Sequence, residues 1–323
     1  MKRRRFLQTA TAAGAAQLGC GTGAGPPLPP GPPGKSVVAV LRAASYSVDL
    51  LDRLRRGAAL CGLQAKGKRV LLKPNLVEFD SATAINTNVA VIAAAVALFR
   101  ELGAAEITIG EGPGHRRDTL FLAHEADYTK GIEKFDSLFV DLNRDDVVAS
   151  GPFAGLPQIY LPATARRADL VVSLAKMKTH HWAVATLSMK NYFGLVPGAI
   201  YGWPKNQLHA VGIQNSIVEL HRVLHGPAAS FAIVDGIVGM EGNGPIQGKP
   251  KPAGVLVVGS DLVAVDSTCC RIMGIDPERV EYLRLAAARG HLLERDIDQR
   301  GESLSAVRTQ FELLEDHRVV RLS

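Results

Sequence analysis

The residues best suited to chemistry lie in one short stretch of the chain, residues 176–194. The stretch holds three lysines, two adjacent histidines and an asparagine, which can carry positive charge, transfer protons or bind a metal. An apolar run at residues 170–174 comes just before it and predicts a buried strand. Ligands of open α/β sheets bind at the carboxyl ends of strands. The stretch is therefore the predicted centre of a ligand site.

Lys190 is the most informative of the three lysines, because apolar residues flank it on both sides. Burial disfavours the charged ammonium group and lowers the pKa of a lysine. Lys190 is accordingly a candidate nucleophile, covalent tether or anion clamp. The same spacing also fits a surface lysine on an amphipathic helix, and the sequence leaves both interpretations open.

Histidines supply the predicted acid and base. His180 and His115 form the predicted pair, because imidazole titrates near neutral pH, and Lys190 completes the predicted catalytic set. His209 is also a candidate metal ligand. A structural role is the first interpretation for the remaining lone histidines, which are His181, His209, His221 and His225.

Polar groups of the same kinds follow three other apolar runs, which end near residues 72, 109 and 234. Parallel strands bring their carboxyl ends to one edge of a sheet, so these groups are predicted to line one pocket of acids, bases and cations. The predicted ligand-binding residues are Lys73, Asn75, Lys176, Lys178, Asn191, Asp235, Glu241 and Asn243.

The alternation of strand and helix patterns predicts an α/β fold with a mostly parallel sheet, helices on both faces and Rossmann-like elements. Asp266 is interpreted as either a helix cap or a ligand-binding residue. Strands are predicted at residues 37–41, 69–72, 107–109, 138–141, 170–174, 231–234 and 255–258, and amphipathic helices at residues 89–102 and 208–224.

The beginning of the chain has the composition of an export signal. Three arginines at residues 3–5 precede a short, weakly apolar segment, which predicts a twin-arginine signal peptide at residues 1–19 and the twin-arginine (Tat) export machinery as a partner. Residues 20–34 are rich in proline and glycine and are predicted to form a linker. Cys20 partly fits a lipoprotein box, so lipid attachment at Cys20, which would tether the protein to a membrane, is one of two alternatives that the sequence leaves open. The expected location is periplasmic or at the cell surface.

Charge and cysteine content narrow the partners. The formal net charge is +6, of which positions 2–5 supply four, so the remainder carries about +2 (6 − 4). Nucleic acid is therefore not an expected partner. The four cysteines include no C-x-x-C pair, so no iron–sulfur cluster is expected, and Cys269 and Cys270 are predicted core residues.

Several separated motifs together resemble the DUF362 family, a domain of unknown function. The resemblance covers nearly all of residues 35–277 and implies one DUF362-like α/β domain at residues 35–323. Many family members carry ferredoxin-like segments, whereas this chain has no cysteine cluster. The matching motifs are Leu72 to Leu76, Lys176 to His180, Thr186 to Gly194, Val234 to Gly236 and Met240 to Pro245, followed by Asp261 and Asp266.

A more distant resemblance is to the lactate racemase family, which uses a nickel-pincer nucleotide. That family has a Gly-x-His-Arg loop, a histidine and a cofactor-holding lysine, and Gly114, His115, His180 and Lys190 fall in similar order. The resemblance implies that His115 and His180 are the opposed acid and base and that Lys190 is the covalent tether. Residues 73–75 depart from it, because Lys-Pro-Asn stands where that family has threonine, arginine and proline.

Two functions fit these features. The leading hypothesis is an exported enzyme that binds an anionic small molecule or a phosphate-bearing cofactor in a Lys/His cleft, with racemase-like or isomerase-like proton transfer. The alternative is a non-enzymatic ligand-binding or metal-binding accessory lipoprotein that uses the same cleft. The sequence does not name the substrate, a metal or a resident cofactor.

Overall fold

The structure is a computed structural model and describes residues 28–114, 118–203, 205–225 and 229–322. Cys20, His115 and the predicted signal peptide lie outside these ranges. The strands within them are β1 (Ser36–Arg42), β2 (Arg69–Pro74), β3 (Glu106–Glu111), β4 (Phe139–Asp141), β5 (Val147–Ala149), β6 (Tyr160–Pro162), β7 (Leu170–His180), β8 (Val184–Thr186), β9 (Ala229–Asn243), β10 (Gln247–Gly259) and β11 (Ile297–Gly301).

Helices of very different length connect these strands. Short 3₁₀ segments lie at Tyr192–Leu195, Pro277–Arg279, Glu294–Asp296 and Glu315–Val320. The α-helices are α1 (Leu50–Leu60), α2 (Val89–Glu101), α3 (Thr119–Glu125), α4 (Tyr128–Gly131), α5 (Phe135–Leu138), α6 (Ala163–Arg167), α7 (Ser188–Asn191), α8 (Gly198–Tyr201), α9 (Asn206–Ala210), α10 (Ile213–His225), α11 (Leu262–Ile272), α12 (Glu281–Ala286) and α13 (Leu304–Val307).

One large sheet organises the described part of the chain. Its strand order is β11-β1-β10-β9-β7-β2-β3-β4, and β8 pairs with β7. The run from β9 to β4 is parallel throughout, whereas β10 is antiparallel to its neighbours β1 and β9. Strands β5 and β6 form a separate two-stranded ribbon. The predicted mostly parallel α/β sheet is confirmed.

Helices cover both faces of the sheet, because successive strand residues point to opposite sides. Leu71 belongs to a core that includes side chains of α10, α11 and α12. Its neighbours Val70 and Leu72 belong to a second core, formed with α1, α2 and α3. Cys269 and Cys270 are fully buried in the first core, as predicted.

The predicted helix at residues 208–224 is two helices. α9 ends at Ala210 and α10 begins at Ile213. Gly212 between them has a φ of +95°, in the left-handed region that favours glycine. Leu208 and Leu220 nevertheless pack in the same core. The apolar spacing therefore continues across the interruption between the two helices, which is why the sequence predicted one helix.

Strands β7 and β9 are longer than predicted, since β7 continues to His180 and β9 to Asn243. All of β7 is buried, including its lysines. Strand β8 folds back on β7 with Thr186 opposite Lys178, and this hairpin was not predicted. Charged residues are uncommon in buried strands, so the sequence placed them in a loop.

The last part of the predicted linker contacts the domain, because Leu28 is half-buried against the first core. Within the described ranges, none of the helices has the length and apolar character needed to cross a membrane.

Candidate functional site

The carboxyl ends of β2, β3 and β7 meet at a cavity of about 180 Å³. The hairpin of β7 and β8 forms one wall, and α7 and α9 contribute the others. The predicted convergence of strand ends therefore holds for these three strands. The charged and polar residues that line the cavity are Lys73, Asn75, Glu111, Lys178, His180, His181, Thr186, Lys190, Asn191, Lys205 and His209.

Asp266 holds α7 in place. Its carboxylate accepts hydrogen bonds from the Ser188 backbone N–H at 2.7 Å and from the Met189 N–H at 3.1 Å. The Tyr282 hydroxyl donates to it at 3.2 Å, and burial raises the pKa of Asp266 to about 7. Asp261 caps Asp266's own helix, α11. One interpretation of the sequence made Asp266 a helix cap. Asp266 does cap a helix, but that helix is α7, which carries Lys190, and not its own helix α11.

Lys73 and Glu111 form a buried ion pair. The Lys73 ammonium donates to the Glu111 carboxylate at 2.6 Å and to the Asn191 side-chain oxygen at 3.1 Å. The same carboxylate accepts the backbone N–H groups of Leu76 and Gly112. Burial lowers the pKa of Lys73, and the Glu111 charge opposes that shift. Such a pair mainly fixes the ends of β2 and β3 relative to each other.

Asn191 acts as a cross-link. Its side-chain N–H groups donate to the Lys73 backbone oxygen at 2.9 Å and to the Ser173 hydroxyl at 3.1 Å. Because its oxygen also accepts from Lys73 and Asn75, its hydrogen-bonding groups are occupied by the protein. Asn191 lines the cavity, yet it chiefly joins α7 to β2 and β7.

Two further lysines are buried against carbonyl oxygens. Lys178 donates to the backbone oxygens of Ile85 at 2.8 Å and Pro245 at 3.2 Å. Lys205 donates to the oxygens of Gly112 and Phe193. Burial lowers the pKa of Lys178 strongly and that of Lys205 to about 7. Among the described residues neither ammonium group has a carboxylate partner, so an anionic ligand that supplies counter-charge favours the protonated form of both.

Lys190 is buried but differently surrounded. Its ammonium nitrogen lies 3.7 Å from the centre of the Phe193 ring, and no hydrogen-bond acceptor for it is found in the described part of the chain. Burial lowers the pKa of Lys190 to about 7, and the nearby Lys73 cation adds to the shift. The surface-lysine interpretation is wrong for this position. An aromatic face stabilises a cation less than hydrogen bonds do, which leaves the amine free to react.

His180 is held in one tautomer. Its Nδ1 accepts the backbone N–H groups of Trp182 at 3.0 Å and Ala183 at 3.2 Å. Nδ1 therefore carries the lone pair, and the proton of the neutral ring must be on Nε2. Burial and then the Lys190 charge lower the pKa of His180 well below its usual range. His180 is accordingly a neutral hydrogen-bond donor, which suits it poorly as a base.

His181 and His209 have the opposite arrangement. Nδ1 of His181 donates to the Gly244 oxygen at 2.9 Å, and Nδ1 of His209 donates to the Lys205 oxygen at 3.1 Å. Each neutral ring therefore keeps its lone pair on Nε2. Burial lowers the pKa of His209. His181, which the sequence assigned to structure, thus shares with His209 a ring nitrogen that can accept a proton.

Two buried polar atoms in the lining have no partner. The side-chain oxygen of Asn75 and the hydroxyl of Thr186 make no hydrogen bond within the described chain. A buried polar group without a partner costs about 1–3 kcal/mol. Both residues line the cavity, so a ligand can supply the missing hydrogen bonds.

Lys176 and Asp235 belong to a neighbouring network. Lys176 donates to the Asp235 carboxylate at 2.8 Å, to the Tyr46 hydroxyl at 3.0 Å and to the Val238 oxygen at 2.9 Å. These three bonds use all of its protons. Lys176 lines a second, larger cavity of about 350 Å³. The other charged residues that line this cavity are Asp80, Glu125 and Asp127, so its lining is acidic and does not favour an anion.

The structure does not bring Glu241 and Asn243 to the lysine-rich cavity. Glu241 pairs with Lys251 at 3.1 Å and accepts the backbone N–H of Glu312. Asn243 is exposed and donates to the Gln247 side chain at 2.9 Å. The extended β9 carries both residues away from the cavity, because the strand continues past the point where the sequence predicted a loop.

The described residues do not by themselves form a metal site. Over these ranges, no group of three His, Cys, Asp or Glu side chains is placed to hold a metal ion. His209 offers a single free ring nitrogen.

Four of the charged and polar pocket residues were not assigned to the site from the sequence: Glu111, His181, Thr186 and Lys205. Glu111 follows the apolar run at residues 107–109, so its position at a strand end was available as a signal. Lys205 has no such signal, because it is far from any predicted strand end and reaches the cavity only through the tertiary fold.

Fold and site together define an α/β protein with a lysine-rich pocket at the carboxyl ends of its parallel strands. Residues 70–271 match the family described as Domain of unknown function (DUF362). The chain is also 30% identical over 253 residues to the Thylakoid-associated protein sll1697 of Synechocystis sp. (strain ATCC 27184 / PCC 6803 / Kazusa), covering 75% of this chain and 76% of that one. The chain belongs to the DUF362 family.

Two solved structures are similar in part. The lactate racemase apoprotein from Thermoanaerobacterium thermosaccharolyticum has a TM-score of 0.45 and 12% identity, covering 74% of this chain and 57% of its own. A Thermotoga maritima protein has a TM-score of 0.40 and 14% identity, covering 65% and 55%. The chain thus spans little more than half the length of either.

Proposed function

We propose that this protein is an enzyme that binds a small anionic molecule or a phosphate-bearing cofactor in the lysine-rich pocket. One observation carries the proposal: four lysines share the cavity with one carboxylate, Glu111, which already pairs with Lys73. Burial lowers the pKa of Lys178, Lys190 and Lys205, and the counter-charge of a bound anion favours their protonated forms. With the anion bound and all four lysines protonated, the lysines and Glu111 give the described lining a charge of +3 (4 − 1). Buried charge without a partner is costly, so an anion that supplies the missing counter-charge binds favourably.

The size of the cavity favours a small ligand. A volume of about 180 Å³ is below the ~300–1,000 Å³ that is typical of pockets for drug-sized molecules. It suits a small carboxylic or phosphorylated acid, or the charged end of a longer cofactor.

Proton transfer is the chemistry we propose for the bound anion. His181 offers an unprotonated Nε2 as the base, and His180 offers an Nε2–H that can hydrogen-bond to charge developing on the ligand. An acid–base pair of this kind suits racemase-like or isomerase-like reactions. His115, which lies outside the described residues, remains the proposed second acid or base.

Ligand binding can be tested with inorganic phosphate and a panel of short hydroxy acids. Each should raise the melting temperature of the full chain, and Lys178→Met should remove most of that increase. Lys249→Met is the matched control, because Lys249 is exposed and does not line the pocket. An equal response in both variants would contradict the binding site.

Turnover can be followed by NMR in D₂O as exchange of the proton next to the carboxylate of a bound hydroxy acid. We expect His181→Gln to reduce the exchange rate by ~10²-fold or more, since general acid–base catalysis contributes ~10²–10⁴-fold. Binding without exchange, for every acid in the panel, would instead support a non-enzymatic binding protein.

We also propose export through the twin-arginine machinery, on the basis of the arginines at residues 3–5 and the segment that follows them. Intact-mass measurement after expression in an exporting bacterial host tests both cleavage and lipid attachment at Cys20. A chain that keeps residues 1–19 in the cytoplasm would contradict export.

A further inference from the structure

Lys190 differs from the other lysines of the pocket in what surrounds its ammonium group. Lys73, Lys178 and Lys205 all donate to carboxylate or carbonyl oxygens. Lys190 lines the same cavity with only 9% of its surface exposed, and no oxygen of the described residues accepts a hydrogen bond from it. A buried amine that the described residues leave without a hydrogen bond, yet open to a cavity, is arranged as a nucleophile.

We propose that Lys190 forms an imine with the carbonyl carbon of a small oxo acid, a class that includes glyoxylate and pyruvate. This inference rests on the proposed function, because the carboxylate of the oxo acid is the anion that the pocket holds. It also goes beyond it, since Lys190 becomes the group that bonds to the substrate.

The reaction needs no oxidant or second substrate. The nitrogen lone pair of Lys190 adds to the carbonyl carbon, and the carbonyl oxygen takes up the proton that the nitrogen loses, which gives a carbinolamine. Protonation of its hydroxyl then allows water to leave as the C=N bond forms. One amine, one carbonyl compound and one proton thus yield one protonated imine and one water molecule.

The other pocket groups match these steps. His181, with its lone pair on Nε2, can carry the proton between nitrogen, oxygen and solvent. The Nε2–H of His180 and the unpartnered hydroxyl of Thr186 are donors for the carbonyl or carboxylate oxygens. The unpartnered oxygen of Asn75 can accept the hydroxyl of the carbinolamine. Each group that otherwise lacks a partner acquires one.

Only the uncharged form of a lysine attacks a carbonyl group. The pKa of Lys190 is about 7, so near pH 7 about half of the molecules carry the reactive amine. An ordinary lysine with a pKa of ~10.4 is neutral roughly a thousandfold less often at that pH. Lys190 should therefore react selectively over the surface lysines.

Borohydride trapping tests the inference. The full chain is incubated with glyoxylate or pyruvate and sodium borohydride, and the product is analysed by intact mass and peptide mapping. We expect one reduced adduct per chain, on Lys190, with a trapping rate that reaches half its maximum near pH 7. Lys190→Arg keeps the charge and should lose the adduct, whereas Lys249→Arg, at an exposed lysine, should retain it.

Inorganic phosphate separates failure of this inference from failure of the proposed function, because phosphate is an anion that cannot form an imine. Phosphate binding that depends on Lys178, with no adduct on Lys190, would overturn the imine and leave the anion site standing. Adducts spread over surface lysines would also overturn it. If neither phosphate nor an oxo acid binds, both proposals fail. Should Lys190→Arg not fold, the peptide map of the unaltered chain decides alone.

Discussion

Each lysine of the pocket has a role that depends on the partner of its ammonium group. Among the described residues, Lys73 has a carboxylate, Lys178 and Lys205 have carbonyl oxygens, and Lys190 has an aromatic ring but no oxygen. Four residues of one type therefore divide into one member of a structural ion pair, two hydrogen-bond donors whose charged form an anion would favour, and one reactive amine. The histidines divide in the same way, since the partner of Nδ1 decides which ring nitrogen carries the proton.

Removing the carboxylate of the buried ion pair should be costly. Glu111→Gln leaves Lys73 buried without a counter-charge, and we expect a loss of about 3–5 kcal/mol in the free energy of unfolding, measured with urea at pH 7.5. Glu312→Gln breaks an exposed pair with Lys249 and should change it by less than about 0.5 kcal/mol. Similar losses in the two variants would show that burial of the pair does not matter.

The buried lysines should make stability depend on pH. Lys190 and Lys205 have pKa values of about 7 in the folded chain, against ~10.4 for an ordinary lysine in the unfolded chain. Between these values the unfolded chain binds more protons, so the free energy of unfolding rises as pH increases.

Lys190→Met and Lys205→Met should each flatten that rise by up to about 1.4 kcal/mol per pH unit, measured by urea unfolding from pH 7.5 to 9. Lys249→Met should leave the slope unchanged, because its side chain is 80% exposed. A slope equal to that of the unaltered chain in both pocket variants would contradict the lowered pKa values.

At the scale of elements, the site depends on short segments rather than long helices. α7 has only four residues, and its position comes from the Asp266 carboxylate on α11 and from the 3₁₀ segment that follows it. In that segment the Gly194 backbone oxygen accepts the Gly112 N–H at 2.9 Å. This contact ties the turn after Lys190 to the end of β3.

Gly194 is required by this close approach. A methyl group at this position would collide with the Glu111 carboxylate and the Lys73 ammonium group. We expect Gly194→Ala to lower the free energy of unfolding by about 1–3 kcal/mol and to abolish phosphate binding, followed by thermal unfolding with and without phosphate. Gly31→Ala is the control, since a methyl group there would meet its nearest neighbour at 3.6 Å. Unaltered binding by Gly194→Ala would show that the turn can move freely.

At the scale of the whole molecule, one sheet separates two cores, and the pocket lies at the carboxyl ends of its strands β2, β3 and β7. The first core extends to Leu28, before β1 begins. Residues 28–34 are therefore partly integrated with the domain, although their composition is that of a linker.

Chain length tests this contact. The free energy of unfolding of a chain that starts at residue 35 should be about 1 kcal/mol lower than that of a chain that starts at residue 28. The shorter chain lacks the half-buried Leu28 side chain. Leu28→Ala in the longer chain should reproduce most of the difference, measured by urea unfolding. Equal stability of all three chains would mean that the contact contributes nothing.

Much of the fold could be predicted because its signals are local. Apolar runs predicted the strand cores, and their alternation with helices predicted parallel pairing. The β7–β8 hairpin and the full length of β9 could not be predicted, because buried lysines and acids obscure a strand pattern. Lys178 is tolerated in a strand only because carbonyl oxygens from distant segments accept its protons.

The sequence by itself determined that lysines, histidines and an asparagine follow strand cores, and therefore that they gather at one sheet edge. Only the tertiary structure decided which lysine meets a carboxylate, which meets carbonyl oxygens and which meets a cavity, and that Glu241 and Asn243 lie elsewhere. The reason is physical: the order of residues is local information, whereas burial and hydrogen-bond partners depend on segments far apart in the chain. The charge state of Lys190 and the proton position on His180 and His181 follow from those partners.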